Sequence, residues 1–265
     1  MSQLAVQMYT VRDFTKTAND LAESFRKIAQ IGYVAVQLSA VGAMNAIDSE
    51  SPEVDVTLAK KMLDDNGLRC IATHRSWSQL AEKTDEEIEF HQTLACDFVA
   101  IGGIPAGYDR DSADDYHRFV AEAQPVIAKL KSAGIRFGHH NHAHEFQRIS
   151  PDSPRTLWDI VIEEGGADYY LENDLYWAWH AGVDPADLMR RCAGRAPVIH
   201  LKDREVVKEG PVMAAIGEGN MPWERILTAC REAGTEWYAV EQDVCRRDPF
   251  DCLRSSFDYL TSKGL

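Results

Sequence analysis

Along the chain, short apolar bursts alternate with longer stretches in which apolar positions recur every three or four residues. The bursts fall at residues 4–9, 33–38, 69–73, 98–101, 136–140, 169–174, 198–201 and 237–241. They are rich in Val, Ile, Tyr and Phe and show little polar alternation, which predicts strands buried on both faces. Helical periodicity covers 21–31, 56–66, 86–95, 113–133, 154–164, 185–192, 222–233 and 249–263. Asp184-Pro185 is start chemistry for a helix, and Gly32, Gly67, Gly134 and Gly234 stand where helices should stop. Strand and helix alternate through residues 1–265 with no Pro/Gly/Ser-rich linker, which predicts one α/β domain, a (β/α)8 TIM barrel. A doubly wound sheet is the alternative. It would normally carry a glycine-rich loop after its first strand, where this chain has Thr10-Val11-Arg12-Asp13.

Composition narrows the partners. Hydrophobic content of 45% and charged content of 26% are those of an ordinary globular chain. A net charge of −14 makes nucleic-acid phosphate a poor partner. No apolar run is long enough to suggest a membrane span. Met1-Ser2-Gln3-Leu4 lacks a basic region followed by an apolar one, so no signal peptide is expected and the protein reads as cytoplasmic. The cysteines at 70, 96, 192, 230, 245 and 252 form no CxxC pair and are expected to be free thiols. A homo-oligomer is left open.

In a barrel of this kind, chemistry gathers at the C-terminal ends of the strands. Strand 5 ends in Gly138-His139-His140-Asn141-His142-Ala143-His144-Glu145, strand 6 in Leu171-Glu172-Asn173-Asp174. Strand 7 ends in Ile199-His200-Leu201-Lys202-Asp203, strand 8 in Val240-Glu241-Gln242-Asp243. His, Asp, His and Glu on four successive strands form a nitrogen and carboxylate set that suits a divalent metal ion such as Mn, Zn, Fe or Co. Carboxylates packed together inside a protein repel unless a cation compensates them. Within the histidine run, period two puts His140 and His142 on one face and His139 and Asn141 on the other.

These pieces, in their order, resemble the sugar phosphate isomerase/epimerase superfamily, the xylose-isomerase-like barrels. The residues that carry the resemblance are His140-Asn141-His142 with Glu145 and Phe146, Leu171-Glu172-Asn173-Asp174 with Trp177, and Ala181-Gly182-Val183-Asp184-Pro185. His200-Leu201-Lys202-Asp203, Gly217-Glu218-Gly219 and Val240-Glu241 complete them. The resemblance implies one divalent metal ion (Mn, Zn, Fe, Co or Mg) held by residues of strands 5 to 8. Asp174, His200 and Glu241 match three of the family's ligands. The fourth position departs from the family's Glu-Asn-His, so His140 is the expected fourth ligand and Glu145 the alternative.

Such a metal would act as a Lewis acid toward a carbonyl and a neighbouring hydroxyl, stabilising an enolate. His142 is the expected base, with Glu241 second. Lys202, counted with the catalytic residues, and Asp203 are expected to bind substrate hydroxyls or to hold the tautomer of His200, and Glu145 is also a substrate-binding candidate. Trp177, with Tyr176, Trp179 and Trp77, offers a ring for a sugar face. His74, Gln37 and Gln7 end strands 3, 2 and 1 and are expected at the same mouth. The expected substrate is a small unphosphorylated sugar, keto-sugar or cyclitol, because no glycine-rich nest ends strand 7 or 8. The reading is an isomerase or epimerase. The alternative is a lyase or dehydratase of the inosose dehydratase or 3-keto-glycoside type, and the remote one a non-catalytic sugar-binding barrel. A nuclease of the endonuclease IV kind is disfavoured by the acidic charge.

Overall fold

The computed structural model describes residues 3–45 and 52–265, so Met1 and Ser2 of the N-terminal reading lie outside the described residues. Half of the eight predicted bursts become strands buried at every position: β1 (Leu4–Gln7), β2 (Ala35–Leu38), β4 (Phe98–Ile101) and β7 (Val198–Leu201). β3 (Arg69–His74), β5 (Arg136–His140) and β6 (Tyr169–Glu172) complete the run before β7, and β10 (Trp237–Val240) follows it. All pairings among these eight are parallel, in the order β6-β5-β4-β3-β2-β1-β10-β7. The remaining seam, between β6 and β7, is bridged where Asp174 meets His200. There His200 N donates to Asn173 O at 3.0 Å. The sheet is therefore a nearly closed barrel, as the alternating pattern predicts.

The helices lie between the strands: α1 (Ala18–Ile31), α2 (Val56–Asp65), α3 (Trp77–Glu82), α4 (Thr84–Leu94), α5 (Ala113–Ser132) and α6 (Leu157–Glu164). After β6 come α7 (Leu175–His180) and α8 (Pro185–Arg191), and after the last strands α9 (Trp223–Glu232) and α10 (Pro249–Ser262). Thr17 caps α1 and Thr156 caps α6, each in a reciprocal capping box. Asp184 and Asp248 cap α8 and α10 ahead of a proline.

Three features depart from the predicted pattern. β1 stops at Gln7, whose side chain accepts from Tyr9 N at 2.8 Å and turns the chain into a 3-10 helix, Met8–Phe14. α3 and α7 are one-turn-and-a-half helices too short to show a period. A hairpin, β8 (Asp203–Val207) with β9 (Gly210–Ala214), leaves the mouth after β7.

Period two explains the barrel interior. Ala5, Ala35, Ile71, Ala72, Phe98, Ala100 and Val198 form an apolar cluster separate from the main core. Gly138 shares this space: an added Cβ there would lie 2.5 Å from the Phe98 ring. One pleat further along the same inward parity stand Gln7, Gln37, His140, Glu172, His200 and Glu241. The interior therefore passes from apolar to polar toward the C-terminal mouth. The six cysteines are free thiols. No helix among the described residues is long and apolar enough to cross a membrane.

Candidate active site

His140, Asp174, His200 and Glu241 are buried, and one ligand atom from each lies within 4.8 Å of the others. β5 supplies His140, β7 supplies His200, Asp174 is the second residue beyond β6 and Glu241 the first beyond β10. Asp174 also caps α7 by accepting from Trp177 N at 3.0 Å through Oδ1, which leaves Oδ2 for the cluster. His140 Nε2 stands 3.3 Å from that oxygen. His200 Nδ1 lies 2.9 Å from Glu241 Oε2 and 3.9 Å from Asp174 Oδ2.

The orientation of His200 is set behind the cluster. Gln37 Nε2 donates to Glu172 Oε1 at 2.7 Å, so Gln37 Oε1 is left to accept from His200 Nε2, also at 2.7 Å. With its hydrogen on Nε2, His200 points Nδ1 toward two carboxylates. Burial would lower its pKa, but Glu172 and then Glu241 outweigh burial and raise it. Nδ1 of His200 and Oε2 of Glu241 are both buried and, among the described residues, neither makes a hydrogen bond of good geometry, although Lys202 Nζ stands 2.9 Å from that oxygen. Buried polar groups are seldom left so, and a shared cation satisfies both. These residues fit a divalent metal ion with nitrogen and carboxylate ligands.

Charge points the same way. Burial would raise the carboxyl pKa of Asp174, but Lys202 and then His140 hold it down to about 2. Burial would likewise raise Glu172, yet His74 and His200 keep it down to about 2. Glu241 is held well below its ordinary value against burial by Lys202 and His200. Asp243 goes the other way: burial, then the Glu241 charge, push it up to about 6. Burial alone would lower the Lys202 pKa, but Asp174, Glu241 and Asp243 outweigh it, so Lys202 remains an ammonium. One cation thus faces three carboxylates, Asp174, Glu241 and Asp243, in a region largely closed to water.

Above the cluster opens a cavity of about 310 Å³. His74, His142, Trp177 and Lys202 line it, as does Glu241. Sequence reading missed Tyr9, Ser39 and Asp243, which also line it. Asp243 carries a legible signal, since it stands two residues past Glu241 and so on the same strand parity. Glu172 was legible on the same ground, two residues before Asp174. It is fully buried and accepts from His74 Nε2.

Other expectations are corrected. Gln37 does not reach the substrate space; it is fully buried and holds His200. That role had been expected of Lys202 or Asp203. Glu145 is not with Asp174: its Oε2 accepts from His142 N at 2.7 Å, and its Oε1 lies 2.9 Å from His144 Nε2. Asp203 does not line the cavity either. Its buried carboxylate accepts from the backbone N–H groups of Arg204 (2.7 Å), Gly217 (2.8 Å), Gly219 (3.1 Å) and Met221 (3.3 Å), and from Trp223 Nε1 (2.8 Å). The Gly217-Glu218-Gly219 stretch is shaped by that carboxylate: a Cβ at Gly219 would fall 2.3 Å from Asp203 Oδ1. Of the four aromatic candidates only Trp177 lines the cavity. Trp77 packs edge-on against Phe119 and Phe137.

Comparison with known proteins agrees with this architecture. A sugar phosphate isomerase/epimerase from Parabacteroides distasonis superposes with a TM-score of 0.82 at 21% identity, over 100% of this chain and 96% of that one. The probable 3-DHS dehydratase AsbF, involved in petrobactin synthesis in Bacillus anthracis, superposes at 0.69 with 15% identity, over 98% and 99% of the two chains. An L-ribulose 3-epimerase superposes at 0.71 with 13% identity, over 99% and 94%. At these identities the likeness is one of fold. No protein of the curated sequence collection matches the chain. The family model for the xylose isomerase-like TIM barrel matches residues 25–262, and the chain therefore belongs to that family.

Proposed function

We propose that the protein is a divalent-metal-dependent isomerase or epimerase of an unphosphorylated sugar, keto-sugar or cyclitol, working by proton transfer at a carbon next to a carbonyl. The observation that carries this reading is the position of His200 Nδ1, oriented by Gln37 toward Glu241 and Asp174. His140, Asp174, His200 and Glu241 would hold the ion. When bound, it supplies Lewis acidity toward a carbonyl oxygen.

The chain's own residues divide the remaining work. His142 lines the cavity, and its ring centroid lies 4.7 Å from that of His140. Burial lowers its pKa, and Lys202 and His144 add to this more weakly than Glu145 and Asp174 oppose it. It is thus neutral at pH 7 and can take a proton. Glu241 is a poorer base, because His200 and Lys202 occupy its carboxylate. His74, oriented by Glu172, offers a second imidazole on the cavity wall. Trp177 presents a ring to a C–H face, and its buried Nε1–H has no partner in the protein. Among the described residues lining the cavity, none but Lys202 is a Lys or Arg, which suits an uncharged polyol better than a phosphate ester.

A lyase or dehydratase is the second reading. The Lys202 ammonium at the cavity wall favours it, because such a charge stabilises a departing oxyanion. Metal-loaded protein incubated with a keto-sugar panel in D2O tests both. Deuterium gain without change of formula supports the isomerase. Loss of water or aglycone supports the lyase. Neither, with metal bound, leaves a binding barrel.

A further inference from the structure

Lys202 is 2% exposed and makes three contacts of nearly equal length. Its Nζ lies 2.9 Å from Asp174 Oδ2, 2.9 Å from Glu241 Oε2 and 3.0 Å from Asp243 Oδ1. The first two are the same oxygens that face His200 Nδ1. An ammonium and a divalent ion would therefore draw on one pair of oxygens. Two cations that close repel strongly in a site that water screens little. The third contact differs in kind. Asp243 is outside the four-residue ligand group, lines the cavity, and its side chain is 20% exposed. The Trp177 ring adds a cation–π face 5.6 Å from Nζ.

We propose that Lys202 is a displaceable internal cation: it neutralises Asp174 and Glu241 until a divalent ion takes those oxygens, and then swings to Asp243 and Trp177 on the cavity side. The proposal rests on reading the four-residue cluster as a metal centre. It explains why a lysine is buried among carboxylates. Without metal, the ammonium keeps Asp174 and Glu241 from facing each other uncompensated. With metal, the same charge is moved to where substrate oxygens would sit. Metal affinity becomes a difference between two cations for one pair of oxygens, and Asp243 tips it toward the metal by giving Lys202 a second position.

The test is titration calorimetry of Mn2+ and Zn2+ into chelator-stripped protein, with thermal melts of the stripped and loaded forms. Lys202→Met removes the charge and keeps most of the length. It should bind metal at least about 10-fold more tightly than the wild type, and its stripped form should melt lower while its loaded form recovers. Asp243→Asn keeps Lys202 but removes its second position, and should bind metal several-fold more weakly. In the Lys202→Met background, Asp243→Asn should have little effect on affinity. Should Lys202→Met not fold when stripped, the weaker binding of Asp243→Asn against wild type carries the test. Unchanged or weaker metal binding by a folded Lys202→Met, or unchanged binding by Asp243→Asn, overturns the proposal and leaves the metal centre standing. A wild type that binds neither ion overturns the metal centre itself.

Discussion

His200 and Gln37 meet at 2.7 Å inside the barrel, and that contact decides which imidazole nitrogen faces the carboxylates. The two residues are 163 positions apart in the chain and come together only because β2 and β7 point the same parity inward. Gln37 is fully buried, so its removal changes no group that a substrate could touch. Gln37→Leu should lower metal affinity about 10- to 100-fold, as loss of a partner behind a ligand does. Calorimetry on stripped protein measures it; undiminished affinity would mean that His200 keeps its tautomer without Gln37.

The fourth ligand is separable from its neighbour. His140 lies with Asp174, whereas Glu145 is tied to the His142 backbone and His144. His140→Ala should lose most bound metal and Glu145→Ala should keep it, by elemental analysis of the purified variants. The reverse pattern would assign Glu145 to the ion.

Asp203 makes a stability prediction free of the metal. Five N–H groups converge on its carboxylate and hold the stretch that follows the β8–β9 hairpin. Asp203→Asn keeps the volume but places an amide where donors already point. Hydrogen bonds to a charged group contribute about 1.5–3 kcal/mol each, shared imperfectly, so a net loss of about 3 kcal/mol is expected. Urea unfolding at pH 7 checks this; a loss below about 1 kcal/mol would mean the stretch holds itself.

The barrel was legible because its strands are apolar at nearly every position and its helices are periodic. The four cluster residues, His140, Asp174, His200 and Glu241, were legible because each stands at or just beyond a strand end. Gln37 and Glu172 were harder. A single polar residue inside an apolar burst carries no mark of its partner, and the pairing Gln37–Glu172–His74 joins three strands across the barrel interior. Asp203 misled for a related reason. It follows His200 closely in sequence, yet the chain turns into β8 there, so its side chain serves the hairpin base instead of the cavity.

Acid should unfold the protein through its buried histidines. His139 is fully buried, donates to or accepts from the Tyr169 hydroxyl at 2.8 Å, and has a buried Nε2 without a partner. Burial, opposed by Glu145, lowers its pKa from 6.5 to about 4. Below pH 6.5 the unfolded chain takes up a proton that the folded one refuses until about pH 4. Stability is therefore complete above pH 6.5 and falls as the pH drops through that window. For this one group the loss is about 3 kcal/mol. In His139→Leu the fall in unfolding free energy between pH 6.5 and 4 should be smaller by roughly that amount. An unchanged slope would show that His139 is not the group responsible.

The base is the last assignment to test. Removing a proton from carbon at neutral pH needs a group that is unprotonated there and close to the ion without being consumed by it. Glu241 and Asp174 fail the second condition, since both belong to the cluster that would hold the ion. Lys202 fails the first, because three carboxylates keep it an ammonium. His142 meets both: burial keeps it neutral, it lines the cavity, and its ring stands edge-on to His140 at 4.7 Å. Its backbone is anchored separately, by N–H donation to Glu145, so a change of side chain should leave β5 and the ligand His140 in place. His142→Asn should keep its metal and lose at least about 100-fold in turnover. Exchange of the substrate's carbon-bound hydrogen with D2O should fall in parallel, since both report the same proton transfer. If exchange persists at the wild-type rate while turnover falls, His142 only positions substrate, and His74, held by Glu172 on the same cavity wall, takes the role of base.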